Sequence, residues 1–226
     1  MDPEPVNTMS NLNNSHSEQG EKVREFIESF IVEELEIQSA RNRGAELGSD
    51  EPSSGTGAFL QALALSLRAR SVVELGTGTG VGTLWLAGGV DANGTITSID
   101  REAEHLQLAR EACEEMEISA QRVRLIQGAP FDILQKLTDS GYDMVVVRDY
   151  SSENEELVEH AHRVLRSGGV CVLVHALHGG KVADLAQRDE VTVARRELLR
   201  NLRADRERWV CSLIGLGDGL FLAVKR

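Results

Sequence analysis

Val72-Val73-Glu74-Leu75-Gly76-Thr77-Gly78-Thr79-Gly80 reads as a short buried strand that ends in an acidic residue and runs into a glycine-rich turn. Glycines at alternate positions let the backbone turn sharply and approach a ligand with no Cβ in the way. The following Val81-Gly82-Thr83-Leu84-Trp85-Leu86-Ala87 reads as a helix opening beneath that ligand. Strand, glycine turn and helix in this order predict a cradle for a nucleotide-type cofactor.

Strand and helix signals alternate downstream of the cradle. Short β-branched or aliphatic runs at 95–99, 122–126, 142–147 and 170–174 join 71–75 as strands of the kind covered on both faces, with helical patterns near 81–89, 102–117, 129–138 and 153–166 between them. This order predicts an α/β fold: a doubly wound, mostly parallel sheet with right-handed connections. A helix near 182–204 then leads to Trp209–Ile214, the turn Gly215–Gly219 and the run 220–224. Two apolar runs joined by Gly-Asp-Gly predict an antiparallel hairpin added to one edge of the sheet.

Upstream, residues 1–19 are rich in Asn, Ser, Glu and Pro, lack apolar periodicity and read as a disordered tail. Residues 20–226 read as one domain whose segment 20–68 supplies accessory helices. The first carries Val23, Phe26, Ile27, Phe30, Ile31 and Leu35 at helical spacing; the second follows the turn-rich Gly48–Gly55 and places Phe59, Leu60, Leu63 and Leu67 on one face.

With 226 residues, 41% of them hydrophobic, the chain can bury a full core. No apolar run is long enough to span a bilayer, and the N-terminus lacks the basic-then-apolar order of a secretion signal, so the expected location is cytoplasmic and no membrane partner is expected. Cys113, Cys171 and Cys211 are scattered without a CxxC, which argues against a disulfide framework or a cysteine zinc site and predicts small buried apolar residues. A net charge of -12 disfavours nucleic acid as a partner, because phosphate neutralisation needs clustered Lys and Arg. Arg195, Arg196, Arg200, Arg203, Arg206 and Arg208 are interleaved with Glu197, Asp205 and Glu207 and read as a solvated helix face.

In doubly wound sheets ligands sit beyond the carboxyl ends of the strands where the strand order reverses, which puts Gly76–Gly80 at the expected site. Asp100, twenty residues after Gly80 at the end of the next strand, can accept hydrogen bonds from both hydroxyls of a ribose; the competing reading is an N-cap to the helix starting near Glu102. A dinucleotide fingerprint needs GxGxxG, and it fails here in both registers, with Val81 or Thr83 in the third position. Glu74 would repel a pyrophosphate and suit a ligand that carries an ammonium group.

Taken together, Val72–Gly80, Asp100, Gly128-Ala129, Tyr142-Asp143, Leu165-Arg166-Ser167-Gly168-Gly169 and Gly217-Asp218-Gly219-Leu220 resemble a class I S-adenosylmethionine-dependent methyltransferase, more narrowly the small bacterial O-methyltransferases related to catechol and caffeoyl-CoA O-methyltransferases. The resemblance covers about residues 45–226. It implies S-adenosyl-L-methionine as cofactor, a small-molecule acceptor, a homodimer, and a seven-stranded sheet whose last strand is antiparallel. It further implies that Glu74 faces the methionine amino end through the glycine loop, that Gly76, Thr77 and Gly78 contact the cofactor through their backbone, and that Gly82 lies beside its methionine portion. Asp100 would hold the ribose, Arg101 and Ala129 would flank the adenine with Gly128 admitting the turn there, and the loop around Ser53 would cover the site.

The sequence departs from the caffeoyl-CoA pattern where that family binds a divalent metal. Its Asp-Ala-Asp-Lys and Asp-Asn are matched here by Arg148-Asp149-Tyr150-Ser151 and Val174-His175. Arginine cannot ligate Mg²⁺ and valine has no donor atom, so no metal ligands are assigned and metal independence is expected. Asp149, His175 and His178 remain near the expected acceptor, with His175 the first choice for a general base, against a plain loop histidine, and Asp149 a second catalytic candidate or a partner of Arg148. Gly179-Gly180 reads as loop punctuation or as a flap; His160, His162, Trp85 and Trp209 read as packing residues. Two other functions remain open: a cofactor-binding protein without catalysis, and a nicotinamide-dependent oxidoreductase.

Overall fold

A computed structural model of the chain describes residues 8–148 and 154–226. Its strands are β1 Ser71–Leu75, β2 Thr95–Asp100, β3 Val123–Gln127, β4 Tyr142–Val147, β5 Leu165–Val174, β6 Trp209–Ile214 and β7 Leu220–Lys225. They form one seven-stranded sheet in the order β3-β2-β1-β4-β5-β7-β6. The first five run parallel, and β7 enters antiparallel between β5 and β6. The expected fold is therefore present, and the predicted hairpin joins it through its second strand.

The helices are α1 Thr8–Phe30, α2 Leu35–Leu47, α3 Ser54–Ser66, α4 Val81–Gly89, α5 Ala103–Glu115, α6 Pro130–Leu134, α7 Asn154–Val164 and α8 Glu190–Ala204. Side chains alternate across each strand, so the sheet feeds two cores. Val72, Met144, Val146, Val172 and Val174 face α2, α3 and α4. Val73, Leu75, Val145, Val147, Cys171 and Leu173 face α7 and α8. Near-continuous aliphatic strands are what a sheet buried on both faces requires. Trp85 and Trp209 are buried, while His160 and His162 pack edge-on against Phe131 and Trp209, as packing residues should. Burial pushes the Cys113 thiol up to about 11 and the Cys171 thiol up to about 12, leaving both as apolar filler.

Several boundaries differ from the sequence reading. The tail expected to be disordered is helical from Thr8, because a helix once nucleated gains a hydrogen bond for each residue added. The single apolar stripe from Val23 to Leu35 is broken at residues 31–34, and α2 follows as a helix that the periodicity did not separate. Two α2 side chains hold the break: Gln38 Nε2 donates to the Glu33 carbonyl at 2.8 Å and Arg41 Nε to Glu33 Oε2 at 3.0 Å. Past α6, Arg163 takes the carbonyls of Leu134, Gln135 and Leu137, ending the helix several residues before 138. The segment expected to be helical from 182 forms turns instead, with Arg196 donating to the carbonyls of Lys181, Val182 and Asp184; α8 starts only after Asp189, whose carboxylate caps the Thr192 N–H at 3.0 Å. The helix expected to reach 166 gives way at Leu165, which already pairs with Tyr142 in the sheet.

Candidate functional site

The strand order reverses between β1 and β4, and the glycine loop leaves the sheet there: Gly76 N donates to Ile99 O at 2.8 Å and Arg148 N to Leu75 O at 2.8 Å. Gly76, Gly78 and Gly80 all adopt positive φ, at 92°, 56° and 96°, a region that residues with a Cβ enter at a cost. The loop opens onto a cavity of about 980 Å³. Gly76, Gly78, Asp100, Arg101 and His105 line one end; Asp50, His175, His178, Arg195 and Asp218 line the other. Helix α1 contributes Arg24, Ile27 and Glu28 as cover. Glu28 is fixed by accepting from Gly55 N at 2.9 Å and Gly217 N at 3.2 Å, so it ties α1 to α3 and to the hairpin turn.

Beneath the loop lies a buried polar layer. Glu74 is fully buried; its Oε2 accepts from Thr83 Oγ1 at 2.5 Å and Ser98 Oγ at 2.7 Å, and Ser98 Oγ lies 2.7 Å from Thr77 Oγ1. Glu74 Oε1 has no hydrogen-bond partner and sits where a Cβ on Gly82 would come within 2.3 Å of it. Burial pushes this carboxyl up to about 7, against the lowering pull of Arg148 and the two hydroxyls.

Asp100 projects at the end of β2. Its Oδ2 accepts from Gly78 N at 2.9 Å and its Oδ1 from Glu102 N at 3.0 Å, with His105 Nδ1 at 3.3 Å. The N-cap of α5 is Glu102, so Asp100 is not the cap itself but orders both the loop and the helix approach. A carboxylate has about four acceptor positions; the Gly78 and Glu102 amides take one on each oxygen, so with His105 turned away one on each is left for ligand hydroxyls.

At the other end, His175 follows β5 in the left-handed region at φ 56°. Its Nδ1 lies 3.6 Å from Asp50 Oδ2, its Nε2 is buried without a hydrogen-bond partner, and its carbonyl accepts from Arg195 Nη1 at 2.8 Å. Burial, together with the nearby Arg148 and Arg195 charges, holds the imidazole below its usual range against the opposing pull of Asp50 and Asp218, which favours the neutral ring that can accept a proton. Asp218 Oδ2 accepts from Gly179 N at 2.7 Å, anchoring the His178-Gly179 turn to the hairpin.

A family described as O-methyltransferase matches residues 21–226. The chain belongs to the O-methyltransferase family. It is 39% identical over 206 residues to an O-methyltransferase homologue of Mycobacterium tuberculosis, an alignment covering 91% of this chain and 92% of that one. A crystal structure of a Corynebacterium glutamicum protein is similar with a TM-score of 0.84 at 30% identity, covering 92% of this chain and 97% of the other. The O-methyltransferase TomG of Streptomyces achromogenes, solved in complex with SAM, is similar with a TM-score of 0.80 at 26% identity, covering 90% and 96%. Family membership removes the oxidoreductase alternative.

In this O-methyltransferase Gly76, Gly78, Asp100 and Arg101 line the cavity. Glu74, Thr77 and Gly82 do not line it; they form the layer behind the loop, because the strand pleat turns Glu74 toward α4. Gly128 and Ala129 stand beside the Asp100 end, where Gly128 N donates to Asp100 O at 2.9 Å, but do not line the cavity. Ser53 lines it and caps α3 by accepting from Thr56 N at 3.2 Å. Asp149 lies outside the described residues. Arg148 pairs with Glu51, and Arg195, read as part of a solvated face, turns into the cavity. Glu51, Asp50, Arg24 and His105 carried no signal in the sequence: each is a polar residue on a helix or in a turn, and only tertiary packing brings it to the site.

Among the described residues no group of His, Cys, Asp or Glu side chains is arranged to hold a metal ion. Arg148 is cationic, and Val174 is a core side chain facing α3 with no donor atom, so the donor set at these positions does not suit Mg²⁺.

Proposed function

We propose that the protein methylates an oxygen of a small-molecule acceptor, without a divalent metal, using His175 to receive the acceptor's proton. The methyl donor is S-adenosylmethionine, whose sulfonium supplies an activated methyl group for in-line displacement. The observation that carries the reading is that one cavity joins the glycine loop and Asp100 at one end to His175 and Asp50 at the other. Asp100 offers its remaining lone pairs to ribose hydroxyls, Gly76 and Gly78 give close backbone approach, and Arg101 with the Gly128-Ala129 turn borders the base. Glu74, Thr77 and Gly82 support the loop beneath the methionine portion. Asp50 near Nδ1 orients the His175 ring and favours the tautomer whose Nε2 accepts a proton.

Alignment of acceptor and donor supplies much of the rate in such a displacement, and the base adds to it. His175→Ala is therefore expected to lower kcat about 100-fold while S-adenosylhomocysteine affinity stays within about threefold. An unchanged kcat on a turned-over acceptor contradicts the base role. Turnover should also survive EDTA; activity lost with EDTA and restored by Mg²⁺ contradicts metal independence.

The buried thiols Cys113 and Cys171 suit the reducing cytoplasm, and among the described residues no helix is long and apolar enough to cross a membrane. We place neither nucleic acid nor membrane among the partners. A homodimer is supported by Phe26, Phe30, Val32 and Leu35, which are 65%, 70%, 86% and 78% exposed along α1, the α1–α2 turn and the first residue of α2. Sedimentation should give twice the chain mass, and Phe26→Ser with Phe30→Ser should give the monomer; a wild-type monomer at micromolar concentration contradicts the dimer.

A further inference from the structure

Arg148 makes more contacts to the cofactor cradle than any sequence signal suggested. Nη1 donates to the carbonyls of Gly76 and Thr77, both at 3.1 Å. Nη2 donates to the Asp50 carbonyl at 2.9 Å and to Glu51 Oε2 at 2.8 Å. The side chains of Arg148 and Glu51 are only 6% and 3% exposed. The second carboxylate oxygen of Glu51 is equally occupied, accepting from Thr79 N at 2.7 Å, Thr79 Oγ1 at 3.0 Å and Ser49 Oγ at 2.8 Å. The contact is close enough that a Cβ on Gly78 would lie 2.3 Å from Glu51 Oε1.

We propose that Arg148 is a positioning residue, whose guanidinium, paired with Glu51 and seated on two glycine-loop carbonyls, locks the segment 49–51 against the loop and so sets the shape of the donor end of the cavity. This rests on the donor reading given above. Removing two charges from water is costly, and the pair recovers that cost only through well-aligned hydrogen bonds, which both Glu51 oxygens and both Nη atoms of Arg148 have here, while Arg148 Nε is buried without one. The pair therefore holds in one geometry or opens as a unit. Its two sides belong to the two walls that a bound donor must touch: Ser49, Asp50 and Glu51 from the α2–α3 connection, Gly76 and Gly78 from the loop after β1. Lysine cannot replace it, since one ammonium lacks the planar fork that reaches two loop carbonyls on one nitrogen and a carbonyl and a carboxylate on the other. Burial raises the Glu51 carboxyl, but Arg148 and the Thr79 and Ser49 hydrogen bonds reverse this and hold it below its ordinary value, so the pair stays charged near neutrality.

The test is calorimetric titration of S-adenosylhomocysteine, which needs no acceptor, into wild type, Arg148→Met, Arg148→Lys, Glu51→Gln and the double variant, with ligand-free thermal melts and amide exchange over 76–80. Arg148→Met should weaken binding at least ~30-fold and Glu51→Gln ~10-fold, with faster exchange at Thr79 N. Arg148→Lys should recover less than half of the loss, and the double variant should bind about as weakly as Arg148→Met alone, because the two residues act as one unit. Folded variants that bind within about threefold of wild type overturn the proposal. If Arg148→Met does not fold, Glu51→Gln, nearly identical in shape, decides on the same criterion. A wild-type protein that takes up no S-adenosylhomocysteine overturns the donor reading and this proposal with it, whereas normal wild-type binding with insensitive variants overturns this proposal alone.

Discussion

Asp100→Ala is expected to weaken S-adenosylmethionine and S-adenosylhomocysteine binding roughly 10³-fold while the protein stays folded. Hydrogen bonds to a charged acceptor contribute about 1.5–3 kcal/mol each, and two ribose hydroxyls lost together amount to about 4 kcal/mol, which is close to a thousandfold. The same change strips the acceptors from Gly78 N and Glu102 N, so the loop loses the contact that fixes its amide toward the carboxylate. Asp100→Asn keeps the shape and one acceptor oxygen, so it should fall between alanine and wild type. Calorimetry on the three proteins, with melts to confirm folding, reads the effect directly. Alanine binding within tenfold of wild type would mean that the ribose is held elsewhere.

Gly89→Ala should cost at least about 3 kcal/mol of stability, whereas Gly88→Ala one residue earlier should cost almost nothing. A Cβ on Gly89 would lie 2.2 Å from the carbonyl oxygen of Gln61 and 3.0 Å from its Cα, in the middle of the neighbouring helix α3. Backbone held in a helix cannot step aside, so the two helices must separate, and overpacking of this kind exceeds the ordinary 1–3 kcal/mol roughly in proportion to how little can move. Separation would also disturb the fit of Gly57 under the Trp85 ring, where a Cβ would approach to 2.2 Å. A Cβ on Gly88, which is exposed, meets only the flexible side chain of the half-buried Gln61, and alanine is the better helix former there. For a chain of this size the difference corresponds to about 6–12 °C in Tm. Equal melting of the two variants would contradict the close α3–α4 contact.

The strands were legible because burial on both faces demands near-continuous aliphatic runs such as Met144–Val147 and Val170–Val174. The cradle was legible because positive φ at Gly76, Gly78 and Gly80 restricts the residue type. Asp100 was legible because strand length fixes where the carboxyl end of β2 falls. The α1–α2 break was not, because it depends on Arg41 and Gln38 reaching back to Glu33 rather than on a Gly or Pro. The depth of Glu74 was not legible either, because a single acidic residue at a strand end gives no sign of which way the pleat turns it. Glu51 and Arg148, 97 residues apart in the chain, form a pair that no local pattern encodes. Glycines such as Gly89 look like helix weaknesses in sequence, and their reason is the neighbouring helix.

We propose that the glycine loop and Asp100 form an S-adenosylmethionine site in the cavity that also holds His175. The most direct test is calorimetric titration of the purified wild-type protein with S-adenosylhomocysteine and, separately, with NAD. Saturable one-to-one binding of S-adenosylhomocysteine is expected, with no heat of binding from NAD beyond dilution. Binding of NAD with none of S-adenosylhomocysteine would contradict it.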